Sequence, residues 1–426
     1  FPEVLDDNGD FRGFDIVIGN PPWSSKESLI SPEYVSNNYD IDEKNLNVFT
    51  VFFYLSFKLI SKNNFANLLI PEVMARNDGY LKLRDKILNE FQIQSISNWG
   101  KFPDVASNTI SVFIKNVKTN NNTFDFNKNV EDKLVKYKLD QNNLKKISTK
   151  VFSETIDDNL VKLIDKLHYG TELKNLCKIK RGIELGQSAK LAKCSNCQKH
   201  TELSTKYYTN RMTNKCKHCG HKLLDDNFFS ISSSTKNETY NAKVLSGKLI
   251  KKYQQIQNLW IKKGIDDIDY KNEIFSKENL FVKRISSYPE ATIVREECFA
   301  FNTIYSLYKT TIDKKILLAI INSKVIKYYY KNLFSLGSKL TTQVTINNLG
   351  KIPILIPENK TKRELLIKLV DQILSAKAED PAADTQALED QIDVLVYQLY
   401  GLTYAEVRVV DPDFAMSEVE YGGNFS

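Results

Sequence analysis

The run Phe14-Asp15-Ile16-Val17-Ile18-Gly19 passes without a break into Asn20-Pro21-Pro22-Trp23, and that junction constrains the fold more than any other stretch of the chain. Two adjacent prolines fix φ and remove two backbone N–H donors, so neither strand nor helix continues through them. A short apolar run that stops there reads as a buried parallel strand ending in a loop. Beyond Trp23 polar and apolar stretches alternate. Residues 24 to 45 are polar and predict a long loop; Leu46 to Ile60, apolar almost all round, predicts a helix buried between layers. Asn67 to Ile70, Gln94 to Asn98 and Thr109 to Ile114 predict strands, with a helix over Tyr80 to Phe91. Strands alternating with helices imply an α/β sheet, and open sheets of that kind place ligands at the carboxyl ends of their strands. Asn20 to Trp23 stand at such an end.

An exocyclic amine such as that of adenine delocalises its lone pair into the ring and is a poor nucleophile. Acceptors that draw its hydrogens out of plane activate it. Asn20 offers a side-chain carbonyl, and Pro21 a main-chain carbonyl on a chain held stiff by two rings. Such fixed oxygens act by electrostatic preorganisation. Trp23 offers a flat face on which an extruded base can stack, offsetting part of the few kcal/mol of unstacking. The alternative reading, a proline-fixed turn with a packing indole, stays open at this point.

From Asn20-Pro21-Pro22-Trp23 through Leu46 to Ile60, Ile70-Pro71, Tyr80-Leu81-Lys82-Leu83-Arg84 and Phe102-Pro103-Asp104, the sequence resembles the gamma-type adenine-N6 DNA methyltransferases over roughly residues 10 to 117. The resemblance implies that Asn20, Pro21, Pro22 and Trp23 form the catalytic peptide, that Phe102 also contacts the flipped adenine, and that S-adenosylmethionine is the donor. Taken alone, a Phe before a Pro is more often core. The donor site of that family lies mainly on a glycine-bearing turn after the first strand, and no such cluster precedes Phe14. The chain therefore reads as the C-terminal half of a Rossmann-like methyltransferase sheet, with the main donor site expected upstream of residue 1 and the fragment inactive by itself.

Cys194-x2-Cys197 and Cys216-x2-Cys219, 18 residues apart, have the spacing of a tetrathiolate zinc ribbon. Four protein ligands leave no open position, so the ion is expected to be single and structural. Gly220 permits the tight turn in which amides face sulfur, and Lys193, Lys199, Lys215, Lys217 and Lys222 offset the thiolate charge. His200, His218 and His221 are candidates to replace one ligand.

The net charge of +7 hides an asymmetry: residues 171 to 340 hold 31 basic and 15 acidic residues, +16, and the rest of the chain −9. A basic block with interleaved aromatics such as Tyr207, Tyr208, Trp260 and Tyr328 to Tyr330 suits a phosphate backbone. Within it, Lys180-Arg181-Gly182-Ile183-Glu184-Leu185-Gly186, Phe281-Val282-Lys283-Arg284 and Leu317 to Tyr330, with Ile321-Asn322-Ser323, resemble the target-recognition domains fused to such methyltransferases. Lys180, Arg181, Lys283 and Arg284 are then the candidate contacts to double-stranded DNA. Strand, turn and core-helix chemistry explains each segment equally well when taken alone. Asp393 to Tyr400 with Gly401-Leu402-Thr403 resembles the end of Type IIG restriction-modification enzymes, which would add methyltransferase and nuclease segments upstream and a role in phage defence.

The expected organisation is an α/β methyltransferase part over 1–150, a bridging helix within 151–172 (Thr155 to Leu167), and a mixed α+β target-recognition domain over 173–357 with the ribbon near 190–224. A helical hairpin over 358–410, built from Thr361 to Lys377 and Thr385 to Tyr400 with Gly401 as C-cap, and a frayed acidic tail over 411–426 complete it. With 42% hydrophobic and 26% charged residues, disordered and collagen-like classes are excluded. Leu46 to Ile60 is shorter than the ~18 residues a bilayer span needs, and the first residues lack a secretory pattern, so a cytoplasmic location is expected. Three readings remain: part of an adenine-N6 DNA methyltransferase, a methyltransferase for an RNA base or a protein glutamine, and a DNA-binding specificity module without catalysis.

Overall fold

Gly13 turns the chain into the first strand at φ +87°, where a Cβ would lie 2.7 Å from the Ser61 backbone nitrogen. Only glycine permits that approach. The structure, a computed structural model, describes residues 2–23, 31–39, 47–102, 107–131, 133–203, 215–223, 228–256, 258–265, 268, 272–335 and 343–423. Two compact units emerge: Phe1–Asp165 with Asn332–Thr341, and Lys166–Lys331 with Thr342–Ser426.

In the first unit, β1 (Phe14–Gly19), β2 (Ile60–Pro71), β3 (Gln92–Lys101), β4 (Asn108–Lys115), β5 (Thr123–Val130) and β6 (Lys133–Asp140) form one sheet in the order β1-β2-β4-β3-β5-β6. β1 is parallel to β2, β4 is antiparallel to both β2 and β3, and β5 is parallel to β3. The expected loop over 24 to 45 contains a helix, α1 (Pro32–Asn38). Ser31 caps it by accepting from the Tyr34 N–H, and a proline sits at its first position. The predicted buried helix is α2 (Val48–Leu59), with Val48, Phe49, Val51, Phe53 and Tyr54 all inside. It passes into β2 through Ile60 with no intervening loop, so β2 is eight residues longer than the apolar run Asn67 to Ile70 suggested.

The helix predicted over Tyr80 to Phe91 is α4 (Leu81–Glu90), after a short α3 (Val73–Arg76). Its Arg84 is fully buried, with the guanidinium donating to Met74 O at 2.6 Å, Asn77 O at 2.8 Å and Thr149 O at 2.9 Å. Charge-assisted bonds to three carbonyls hold its two terminal nitrogens in the interior. The β5–β6 hairpin turns through Glu131 at φ +48°, and α5 (Gln141–Lys146) follows. The bridging helix, α6 (Asp158–Leu167), begins later than Thr155, because the Asp157 carboxylate accepts from the Leu160 N–H.

The second unit is built from short strands. Ala291–Ile293, Leu280–Lys283, Ile304–Tyr308 and Lys178–Arg181 pair in that order, and Ser232–Ser233, Leu259–Ile261, Ala242–Leu245 and Phe299–Ala300 form a second sheet. They share a core that includes Val244, Leu245, Ile261, Phe281, Ala300 and Phe301. The helix expected over Leu317 to Tyr330 is two helices, Lys314–Ile321 and Lys324–Phe334. They part at Asn322-Ser323, where the buried Asn322 amide accepts from Ala291 N at 2.9 Å and donates to Ala291 O at 3.0 Å, as a neighbouring strand would. Tyr329 and Tyr330 lie in the core rather than on the basic surface. The helical hairpin is Lys360–Glu379 and Gln386–Leu399, with Gly401 at φ +63° beyond it. The tail does not fray through Gly423: Glu418–Gly423 is helical, and buried Tyr421 donates its hydroxyl to Leu402 O at 2.9 Å. Two aromatics of the tail, Phe414 and Tyr421, pack on each other and on Tyr404, and this outweighs the acidic composition that suggested fraying. Among the described residues no helix is long and apolar enough to cross a membrane.

Candidate functional site

Because β4 runs antiparallel between β2 and β3, the carboxyl ends of β1, β2 and β3 open on one rim. Gly19 lies opposite Leu68, so the chain leaves β1 while β2 has three residues still to run. Pro21 is buried at this exit, Asn20 and Pro22 are exposed, and Trp23 is half-buried. The indole N–H donates to Leu69 O at 3.4 Å, a long bond that tethers the ring edge to β2. The exposed Asn20 side chain and the buried Pro21 thus occupy neighbouring positions at the open rim.

Phe102, 41% exposed, follows β3 at the same rim. By strand spacing it stands three places from β1, roughly 14 Å along the sheet, and no ring contact joins it to Trp23 among the described residues. Pro103 and Asp104 lie outside the described residues, as do Tyr207 and Tyr208.

The sequence reading missed the polar frame of this rim. Glu72, directly after β2, accepts from Asn98 Nδ2 at 2.9 Å and Asn108 Nδ2 at 2.7 Å, pinning the ends of three strands with one carboxylate. A bulge interrupts β3 between Asn98 and Gly100, with Gly100 at φ +74° and its N–H donating to Asn98 Oδ1 at 3.0 Å. Such bulges re-aim the residues after them. Beside Glu72 lies a cavity of about 110 Å³ lined by Arg76, Asn98, Asn108, Lys128 and Glu154. Burial holds the Arg76 guanidinium below its ordinary value against the pull of Glu154 and Glu72. Burial also opposes ionisation of Glu154, but the bond from Lys128 and the charges of Lys128 and Arg76 win and lower its carboxyl. Asn and Glu at strand ends carry no periodic signal, which is why pattern reading passes over them.

The four cysteines converge. Cys194 and Cys219 sulfurs are 3.6 Å apart, Cys197 and Cys216 3.5 Å, and all four lie within 4.8 Å of one another. Four sulfurs at ~2.3 Å from one zinc sit about 3.8 Å apart, so the set fits a tetrahedral ion. Two matching knuckles build it: Cys194 N donates to Lys199 O and Cys216 N to His221 O, with Gln198 at φ +60° and Gly220 at φ +72° just after the second cysteine of each pair. The turn expected at Gly220 thus recurs at Gln198. Burial resists ionisation of Cys216, yet the amides of His218 and Cys219, the Thr201 hydroxyl and Cys197 bring it down to about 6. His218 faces His200 O at 3.2 Å rather than the sulfurs, and the thiol set is complete without a histidine. Cys177 and Cys298 are buried singly, and burial pushes both up to about 12.

Of the four candidate DNA contacts, Arg181 pairs with Glu184, Lys283 pairs with Glu290 at 3.0 Å, and Arg284 donates to Asn302 O and Gln343 Oε1. Lys180 and Arg181 line a cavity of about 440 Å³ with Ile183, His200, Glu202 and Lys217. Trp260 is half-buried, with the Lys236 ammonium 5.2 Å from its ring centroid.

Residues 1–103 match the family of Eco57I restriction-modification methylases, and residues 242–354 match the TaqI-like C-terminal specificity domains. The chain is thus similar to restriction-modification proteins that couple a methylase to a specificity domain. Among individual relatives, a Methanocaldococcus jannaschii protein described as a type II restriction enzyme and methyltransferase is 23% identical over 414 residues, 91% of this chain and 31% of that protein. The solved structure of the Type IIL restriction-modification enzyme MmeI in complex with DNA shares the fold at TM-score 0.52 and 11% identity, over 96% of this chain and 56% of that one. The type IIG restriction endonuclease BpuSI aligns at TM-score 0.33 with 12% identity, over 91% of this chain and 54% of that one. The chain spans about a third of the archaeal relative and about half of MmeI.

Proposed function

We propose that this chain is part of a DNA adenine-N6 methyltransferase of a restriction-modification system, acting on an adenine rotated out of a specific duplex site. The observation that carries the reading is the Asn-Pro-Pro-Trp peptide at the open carboxyl rim of the sheet. Asn20 Oδ1 and the Pro21 carbonyl accept the two hydrogens of the amine and pull its lone pair out of the ring. Trp23, tethered by its N–H, presents a face to the base, and Phe102, exposed at the β3 end of the same rim, is the second candidate contact to it. S-adenosylmethionine, when bound, would supply an electrophilic methyl group, its sulfur–methyl bond breaking as the amine nitrogen bonds to the carbon and the neutral thioether leaving. The residues here serve the acceptor side, and the transferred proton leaves to water once the amine carries the methyl group.

Cys194, Cys197, Cys216 and Cys219 hold one structural zinc ion in this reading, and residues 173–357 supply target recognition. The similarity of residues 1–103 to Eco57I methylases and of residues 242–354 to TaqI-like specificity domains supports the methylation and recognition parts of the reading, and the convergence of the four sulfurs supports the metal site. Trp23→Ala in the complete enzyme is the test. Methylation should fall more than tenfold while duplex affinity stays within about twofold, since stacking on an aromatic contributes ~1 to 3 kcal/mol only once the base is out. Equal losses in both would assign the indole a packing role and end the reading.

A further inference from the structure

The basic block does not present its cations evenly. Lys243 pairs with Glu296, Lys263 with Glu297 at 3.6 Å, Lys283 with Glu290, and Arg181 with Glu184. The Lys324–Phe334 helix departs from that pattern. Lys327 and Lys331, four residues apart and therefore on one face, hold their ammonium groups 4.8 Å and 5.0 Å from the centroid of a single ring, that of Tyr288. Lys252 and Lys324 stand near enough to add to the field at Lys327. Those two are answered, Lys252 by Glu389 at 2.8 Å and Lys324 by Asp411 at 2.8 Å and Asp390 at 3.3 Å. Neither Lys327 nor Lys331 has a carboxylate of the described residues within 4.0 Å. Burial first, then the charges of Lys331, Lys252 and Lys324, hold Lys327 below its ordinary value, with Asp393 opposing.

Like charges at this spacing destabilise a helix by a few tenths of a kcal/mol, which the face of a tyrosine offsets only in part. An uncompensated pair kept at that cost suits an anion that arrives from outside. The ring between them is itself fixed. Tyr288 lies in the loop joining the strands Leu280–Lys283 and Ala291–Ile293, and that loop is held by Lys283 N to Glu290 O, Arg284 N to Thr303 O and Val344 N to Arg284 O. Ile285, 46% exposed, stands on the same loop.

We infer that Lys327 and Lys331, spaced by Tyr288, form a clamp on a DNA phosphodiester that sets the specificity region on its duplex. The inference rests on the proposed DNA reading and deepens it, because the cations picked from sequence are mostly engaged within the protein. A backbone contact of this kind carries no base information and fixes register instead. Two lysines on one or two adjacent phosphates release about 0.9 counterion per charge neutralised.

The experiment is a salt titration of duplex binding by the full chain and its K327Q/K331Q variant, on matched target and unrelated duplexes. The variant should bind both duplexes more weakly by a similar factor, with the slope of log affinity against log salt shallower by about 1.8. Its unfolding midpoint should be unchanged or raised, since a repulsion is removed. If the double variant misfolds, K331Q alone decides, with an expected change of about 0.9, and K331R should bind like the unaltered protein. An unaltered slope in the folded variant overturns the clamp while leaving DNA binding standing. A parent chain that shows no salt-dependent duplex binding overturns both.

Discussion

Gly182 shows how a position within a family-like run can also be fixed by packing. Within Lys180 to Gly186 it resembles part of a recognition motif, yet its role in the fold is packing: a Cβ there would lie 2.2 Å from Ala300 O and 2.5 Å from Phe301 O. Both are backbone atoms of a buried segment and have no rotamer with which to yield. Gly182→Ala should therefore destabilise the second unit by about 2 kcal/mol or more, read as a lowered urea midpoint with an unchanged slope. A neutral result would mean that the 299–301 backbone can shift. Asn322 teaches the same lesson. Its amide pairs both ways with Ala291, so an Ile-Asn-Ser run that resembles a family signature is a structural joint.

At the level of elements, the legible parts were those with a long period or a hard stop. The α2 helix, the Tyr80 to Phe91 helix and the hairpin ending at Gly401 follow from apolar spacing and capping. The register of β2 did not, because Ser61 to Asn64 are its irregular stretch: pairing with β1 passes from Phe14–Ile60 directly to Ile16–Phe65, and the chain between turns through Asn63 at φ +65°. Nor did the Glu72 frame, which depends on three strand ends meeting in space. The cysteine module lies between these cases: spacing predicts the ligand set, and the two knuckles bring the sulfurs to the separation a zinc ion requires. Metal analysis of the purified chain should give one zinc per molecule. Removing it with a chelator, or by Cys194→Ser, should unfold the 190–223 module while leaving the six-stranded sheet intact, because the small core around it, Ala192, Leu203 and Leu223, cannot hold a loop-rich module alone. Protease cleavage confined to that module would read the result out; an unchanged digestion pattern on chelation would refute the metal's structural role.

Over the whole molecule, charge is segregated: the net +7 is the small difference between a basic middle and acidic flanks. Contacts to a duplex made through the middle release counterions, so affinity should fall by orders of magnitude between ~50 and ~200 mM salt if six or more phosphates are touched. A shallow dependence would mean that the lysines spend their charge on internal carboxylates, as Lys283 and Lys243 do. The acidic flanks have their own work. Asp390 and Asp411 neutralise Lys324, and the Asp393 carboxylate caps the same helix by accepting from the Lys324 N–H at 2.8 Å.

β1 has one further consequence. Among the described residues it is bonded to β2 alone, and Ile16 and Ile18 are 61% and 76% exposed. A row of amides and carbonyls without a strand partner among the described residues, flanked by branched aliphatics, is a template on which a further strand, of the same protein or of another, can add itself. A strand added there would lie beside the residues that lead into Asn20, so whatever covers this edge also borders the rim on which the base would lie.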